Sequence, residues 1–177
     1  GPHATNPEVG SATAGCRLVD CAPCRRLLIV SPHFPPADAA DMHRVRMNVG
    51  HYREHGWAPL VLTVDPAATG RLIDRSLLET LPPDLEVHRC GALPLHLARP
   101  LGVSDIALRS YVQLRSTGDA LIQSHRPDLV LFSTTAFLTM TLGPRWRRRY
   151  GVPFVLDFHD PWHAGPPGNA RFRRQGV

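Results

Sequence analysis

Lysine is missing altogether: the 20 basic residues are all arginine. A genome-wide composition bias produces that pattern as readily as a function does, so it says little about partners. Aromatic residues are scarce at 7%, and they are not interleaved with the arginines as base stacking on a single strand requires. Nucleic acid is therefore not an expected partner. No apolar run approaches the roughly 20 residues needed to cross a bilayer as a helix. Residues 1–20 lack a basic segment followed by an apolar one, so no signal peptide is read and a cytoplasmic chain is expected. The glycine-rich signatures GxGxxG and GxxxxGK followed by Ser or Thr are both absent, which argues against a nicotinamide site and a P-loop. The chain also lacks an initiator Met, and residues 165–177 are rich in Pro, Gly and Arg without a closing element. A fragment of a longer protein is the expectation.

Cysteine is sparse too, at four residues. Cys16, Cys21 and Cys24 cluster, the last two as a CxxC, and Cys90 lies far away. A lone CxxC without a second one or a His pair is a weak zinc signal. A thioredoxin-like redox motif would sit between a strand and a helix, whereas this one precedes the first strand. Residues 1–25 are expected to be a flexible extension.

What remains is 177 residues, 43% apolar and 20% charged, with a formal net charge of +5. That suits one ordinary domain with a real core and speaks against wholesale disorder. Regular patterning starts at Arg26. Leu27–Val30 is a short unbroken apolar run, as in a strand covered on both faces. Ser31–Pro36 then breaks regular structure. A helix is expected from Asp38 or Asp41, either of which can cap it, with Met42, Val45, Val49 and Tyr52 on one face and a stop at Gly56. A strand at Pro59–Val64 follows, then a helical piece over Leu72–Leu81 and a strand over Leu85–Arg89. Gly91–Gly102 reads as irregular. Ser104 is expected to cap a long helix running to about His125, whose apolar positions are Ile106, Leu108, Tyr111, Val112, Leu114, Leu121 and Ile122. Gly118 weakens its last turns. A strand over Asp128–Phe132, a helix over Phe137–Tyr150 kinked at Gly143–Pro144, and a strand over Val152–Phe158 complete the pattern.

Apolar strands alternating with helices predict a parallel sheet with right-handed crossovers. The expected architecture is a Rossmann-like, doubly wound α/β domain over residues 26–165, with 166–177 beginning a linker. Such sheets bind ligands beyond the carboxyl ends of their strands. That rule selects Ala39, Ala40, Asp41, Arg44 and Arg46 after the first strand, Ser133, Thr134 and Thr135 after the fourth, and Asp157, His159, Asp160 and Trp162 after the fifth. Small residues at a helix N-terminus leave backbone N–H groups for a phosphate, and Arg44 and Arg46 can add charge-assisted bonds. His159 can act as a base or orient a sugar hydroxyl, and Trp162 can stack on a sugar ring. Arg145, Arg147, Arg148 and Arg149 form a basic cluster, either a solvated face or a contact for anionic lipid headgroups.

Several segments together resemble a bacterial family 4 glycosyltransferase: Arg26–Pro36 (RLLIVSPHFPP), His43–Arg46 (HRVR), Gly56–Val64 (GWAPLVLTV), Arg126–Thr135 (RPDLVLFSTT) and Gly151–Trp162 (GVPFVLDFHDPW). The likeness spans residues 26–162. It implies the N-terminal half of a GT-B enzyme, with retaining chemistry and without a metal or other cofactor. This half would hold a glycan or lipid-linked acceptor, and the nucleotide-sugar donor would rest mostly on a second domain. His159 and Asp160 would be catalytic. Such a half by itself would be inactive. The chain departs from the family where Ala39–Ala40 replaces Gly-Gly, where Ser133 stands for His, and where His159 stands for Arg. Two alternatives accompany this reading. One is a zinc N-deacetylase-like hydrolase using His33, Asp38, Asp41, His43, His159 and His163, although Phe34–Pro35 breaks the usual ligand spacing. The other is a non-catalytic Rossmann binding module.

Overall fold

A computed structural model describes residues 24–160, apart from the side chain of Leu101. Cys16, Cys21, Trp162, His163 and the expected linker lie outside the described residues, as does the extension before Cys24.

Strand β1 (Arg25–Val30) carries the apolar run into the centre of the molecule, where Leu28, Ile29 and Val30 are fully buried. A two-residue strand β2 (Ala37–Asp38) precedes helix α1 (Met42–Asn48), and a 3-10 turn over Tyr52–His55 ends at Gly56 with φ +76°. Strand β3 (Trp57–Val64), helix α2 (Pro66–Thr69), strand β4 (Leu72–Ile73) and strand β5 (Glu86–Cys90) follow. Helix α3 (Leu95–Ala98), helix α4 (Ile106–His125), strand β6 (Leu129–Thr134), helix α5 (Leu142–Tyr150) and strand β7 (Phe154–Phe158) complete the order.

The main sheet runs β5-β3-β1-β6-β7 with every neighbouring pair parallel. Alternate residues of a strand face opposite sides, and β1 uses both sides for core. Leu27 and Ile29 pack with Val45 of α1, Val49 just beyond its end, Phe34 and Val61. Leu28 and Val30 join Leu114, Leu121 and Ile122 of α4 and Leu142 and Trp146 of α5. The sheet is thus covered on both faces, as the doubly wound expectation requires. From β1 the chain winds outward through β3 to β5, then returns through α4 to β6 and winds the other way to β7. The topological switch therefore lies between β1 and β6.

Trp146 shows how tightly the second layer closes. Its ring is fully buried, stacks on Phe132 at 5.6 Å, and donates from Nε1 to Asp119 Oδ1 at 2.8 Å. A Cβ on Gly118 would fall 2.3 Å from its Cζ2. Gly118 therefore does not end α4; it makes the space in which Trp146 packs.

Local expectations are corrected at several points. Leu72–Leu81 is not an α-helix but β4 followed by a 3-10 turn over Arg75–Thr80, because Asp74 accepts from the Ser76 N–H and starts a tighter turn. Gly91–Gly102 contains α3 and a 3-10 turn. Asp105, not Ser104, caps α4, its Oδ1 accepting from Ala107 N–H at 2.6 Å. Leu108 and Val112 face outward, 54% and 59% exposed, off the apolar stripe of α4. The break in the Phe137–Tyr150 segment comes where a 3-10 turn over Phe137–Thr141 passes into α5, one residue before Gly143. Neither Asp38 nor Asp41 caps α1 through its side chain: Asp38 is in β2, and Asp41 is at the N-cap position but its carboxylate turns elsewhere.

Candidate functional site

The carboxyl ends of β1 and β6 meet at the switch point, and Asp41 is the hub there. The loop after β1 carries His33, and the chain then returns through Asp41 into α1. His33 Nδ1 lies 3.0 and 3.2 Å from the two carboxylate oxygens of Asp41. Asp41 Oδ2 also accepts from Thr134 Oγ1 at 3.2 Å, Thr135 N–H at 3.3 Å and Thr135 Oγ1 at 3.0 Å. Both members of the His–Asp pair are buried, each side chain 4% exposed. Burial pushes the Asp41 carboxyl up, but the His33 hydrogen bond and charge and the two Thr135 bonds outweigh it and hold the pKa at about 2. Asp41 is an ionised acceptor at neutral pH, so His33 Nδ1 is a donor. That leaves Nε2 as the nitrogen for a ligand, and it has no hydrogen-bond partner among the described residues.

His33 and Thr135 line a cavity of about 340 Å³, which also takes in Thr69, Arg71, Arg99 and Arg109. Arg109 is 4% exposed, and its guanidinium donates to the Leu93 and Ala68 carbonyls, each at 2.8 Å. It has neutral partners only, so its charge is not cancelled by a carboxylate. The one acid on the wall, Asp105, is occupied as the α4 cap. Three arginines and one committed acid make the cavity a place for an anion.

A second cluster joins β6 to β7. Ser133 Oγ donates to Asp157 Oδ2 at 2.8 Å and lies 2.8 Å from His159 Nε2, which is itself 3.2 Å from Asp157 Oδ2. Asp157 Oδ1 receives Arg44 Nη1 from α1 at 2.5 Å. Ser133 spends its proton on Asp157, so His159 Nε2 must donate to this cluster. A nucleophilic serine would need the reverse, with its proton going to the imidazole. The triangle anchors; it does not activate Ser133.

The expected residues thus divide. Asp41, Thr134 and Thr135 belong to the buried hub, while Arg44, Ser133, Asp157 and His159 form the second cluster. Asp160 is exposed just beyond it, and Ala40 is exposed whereas Ala39 is buried. Arg46 turns away from the crevice, its Nη1 donating to Thr80 Oγ1 at 3.0 Å and its Nη2 lying 3.3 Å from His43 Nδ1. Arg145 pairs with Asp119, and Arg147, Arg148 and Arg149 are exposed at the end of α5, beside the start of β7 and away from the crevice. For the hydrolase alternative, His33, Asp38, Asp41, His43 and His159 assemble no three-ligand group among the described residues, and His163 lies outside them. Cys90 is a buried thiol whose pKa burial raises to about 11, which makes it unreactive. Sequence reasoning undervalued His33 and passed over Arg71, Arg99 and Arg109. A His directly after the first strand of a doubly wound sheet was a usable signal; the arginines, scattered over 39 positions, gave none.

The architecture is that of a Rossmann-like half of a GT-B fold. Among solved structures, apo UGT2 of Phytolacca americana aligns over 76% of this chain and 29% of its own, with TM-score 0.52 and 15% identity. The same enzyme complexed with UDP-2fluoro-glucose and pterostilbene gives TM-score 0.51 at 16% identity, over 75% and 30% of the two chains. A glycotransferase of kitacinnamycin aligns at TM-score 0.49 and 17% identity, over 75% and 30%. At such identities the likeness establishes the fold alone, and this chain spans less than a third of those enzymes. No protein-family model matches the chain, and neither does any curated protein.

Proposed function

We propose that this chain is the acceptor-binding, N-terminal half of a nucleotide-sugar-dependent glycosyltransferase whose acceptor is lipid-linked and bears a phosphate. The observation that carries the reading is His33, its Nδ1 pinned by an ionised Asp41 and its Nε2 left for a ligand beside an arginine-lined cavity. In this arrangement Nε2 takes the proton of the acceptor hydroxyl as that oxygen attacks the anomeric carbon, and the nucleoside diphosphate leaves. Asp41 fixes the imidazole orientation and stabilises the charge it acquires. Arg71, Arg99 and Arg109 hold the acceptor phosphate without a metal ion. The donor rests mostly on a second domain, so the chain by itself binds acceptor and transfers no sugar.

Direct attack assisted by one base inverts the anomeric centre. A retaining transfer that uses His159 and Asp160 is a second reading, favoured by the exposure of Asp160 at the crevice rim. The anomeric configuration of the product of a two-domain enzyme containing this chain separates them, as does Asp160→Asn, which should cost roughly 100-fold in turnover only in the retaining case.

Calorimetry on the chain tests the binding half directly. Farnesyl phosphate should bind and UDP should not. The Arg71→Ala/Arg99→Ala pair should weaken farnesyl phosphate at least about 10-fold, the size of a lost charged hydrogen bond. Equal binding by that variant, or no binding by the parent chain, would refute the assignment.

A further inference from the structure

At the amino end of the sheet, the edge away from the crevice, three potential ligands converge from two elements. Glu86 and His88 stand at the start of β5, two residues apart and so on one face of the strand. His125 is the last residue of α4. Glu86 Oε1 lies 2.6 Å from His88 Nε2 and 2.9 Å from His125 Nε2, and one ligand atom from each residue falls within 4.8 Å of the others. The two imidazoles meet edge to face, their centroids 5.5 Å apart.

The surroundings hold His125 as a metal-ligating histidine is held. Its Nδ1 lies 2.8 Å from Ser124 Oγ, and that hydroxyl spends its own proton on the Ala120 carbonyl at 2.9 Å. Ser124 therefore accepts from Nδ1–H, which turns Nε2 toward Glu86; an outer partner of this kind fixes the tautomer of a ligand histidine. Arg26 Nη1 donates to the His125 carbonyl at 2.6 Å and ties the helix end to the start of β1. The three ligand side chains are 27–50% exposed, which leaves water access for a further coordination position.

We propose that Glu86, His88 and His125 form a binding site for a zinc-type transition-metal ion, which clasps the start of β5 to the end of α4. Two imidazole nitrogens and one carboxylate suit zinc, nickel or copper; magnesium and calcium prefer all-oxygen sets. Tetrahedral zinc with bonds of about 2.0–2.1 Å keeps its ligand atoms roughly 3.4 Å apart. The present 2.6 and 2.9 Å contacts need only a small opening, which half-exposed side chains can make. The ion displaces the Nε2 protons of His88 and His125 that now bond Glu86, releasing them to solvent, so the three groups are already gathered before it binds. It lies across the sheet from His33 and takes no part in the reaction proposed above.

The test uses the chain itself with cobalt and zinc ions after chelator dialysis. One equivalent of zinc should bind and raise the melting temperature. His88→Gln, His125→Gln and Glu86→Gln should each weaken it by about 10-fold or more, at or above the effect of losing an outer-shell partner. All three positions reach solvent, so the metal-free variants should melt close to the parent chain; a variant that does not is replaced by His125→Asn at the same site. The cobalt complex should show no thiolate-to-metal charge-transfer band. A thiolate band, or zinc affinity unchanged in the variants, would place the metal at the N-terminal cysteines and overturn the proposal. Absence of zinc binding by the parent chain would overturn it as well.

Discussion

The His33–Asp41 pair and the Ser133–Asp157–His159 triangle stand at the carboxyl ends of neighbouring strands and use nearly the same groups, yet they differ in access to water. His33 and Asp41 side chains are each 4% exposed, whereas Asp157 is 26% and its partner Arg44 is 50% exposed. In the first cluster the carboxylate is out of water and accepts four donors, so its ionisation is coupled to the fold. In the second, Ser133 and the His159 side chain are nearly as dry, 2% and 8% exposed, and solvent reaches mainly the Asp157–Arg44 pair, whose charges it screens. Equal residue types therefore carry unequal energies, and burial sets the ranking.

The largest effect should come from Asp41→Ala. It leaves the His33, Thr134 and Thr135 donors without their acceptor inside the protein, and each buried donor left unpaired costs about 1–3 kcal/mol. Urea unfolding should show the unfolding free energy falling accordingly, as a lower midpoint at unchanged slope. A loss below about 1 kcal/mol would mean the hub carries no more than the Ser133–Asp157–His159 triangle.

Acid should separate the clusters next. The folded pKa of Asp41, about 2, lies below its ordinary 3.8. A depressed carboxyl contributes stability that is full above the unfolded value and is lost as pH falls through the folded one, here between about pH 4 and pH 2. The difference is worth about 2 kcal/mol. Unfolding free energies of the parent chain and Asp41→Asn, measured across that window, should diverge at the upper end and approach each other at the lower. Parallel curves would remove the coupling.

Ser133→Ala should cost about 1 kcal/mol, the net value of an ordinary hydrogen bond, as read by thermal melting. Arg44→Ala should cost no more than about 0.5 kcal/mol, because its pair with Asp157 is half exposed, and added salt should erase even that. A salt-independent loss at Arg44 would show that the triangle is drier than its exposure indicates.

Strand and helix order was open to reading because burial on both faces forces continuous apolar runs such as Leu27–Val30 and Leu129–Phe132, and because the proline and glycine breaks between elements are local. The cap at Asp105 and the 3-10 turn after Asp74 were missed: two neighbouring polar residues are equally good caps until the approach of the chain selects one. Gly118 misled for a related reason. Its propensity is a property of the isolated helix, and its value here is the room it leaves for Trp146, a residue 28 positions away.

The alternation of apolar segments, by itself, determined a parallel sheet covered on both faces and thereby the edge at which the loops after β1, β6 and β7 gather. Only the tertiary structure decided that Asp41 turns from its helix to His33, that Thr134 and Thr135 close around it, and that Arg71, Arg99 and Arg109 surround one cavity. The physical reason is range. Periodicity and capping act over a few residues, whereas hydrogen bonds and charges between side chains 8 to 94 positions apart exist only after packing has excluded water between them.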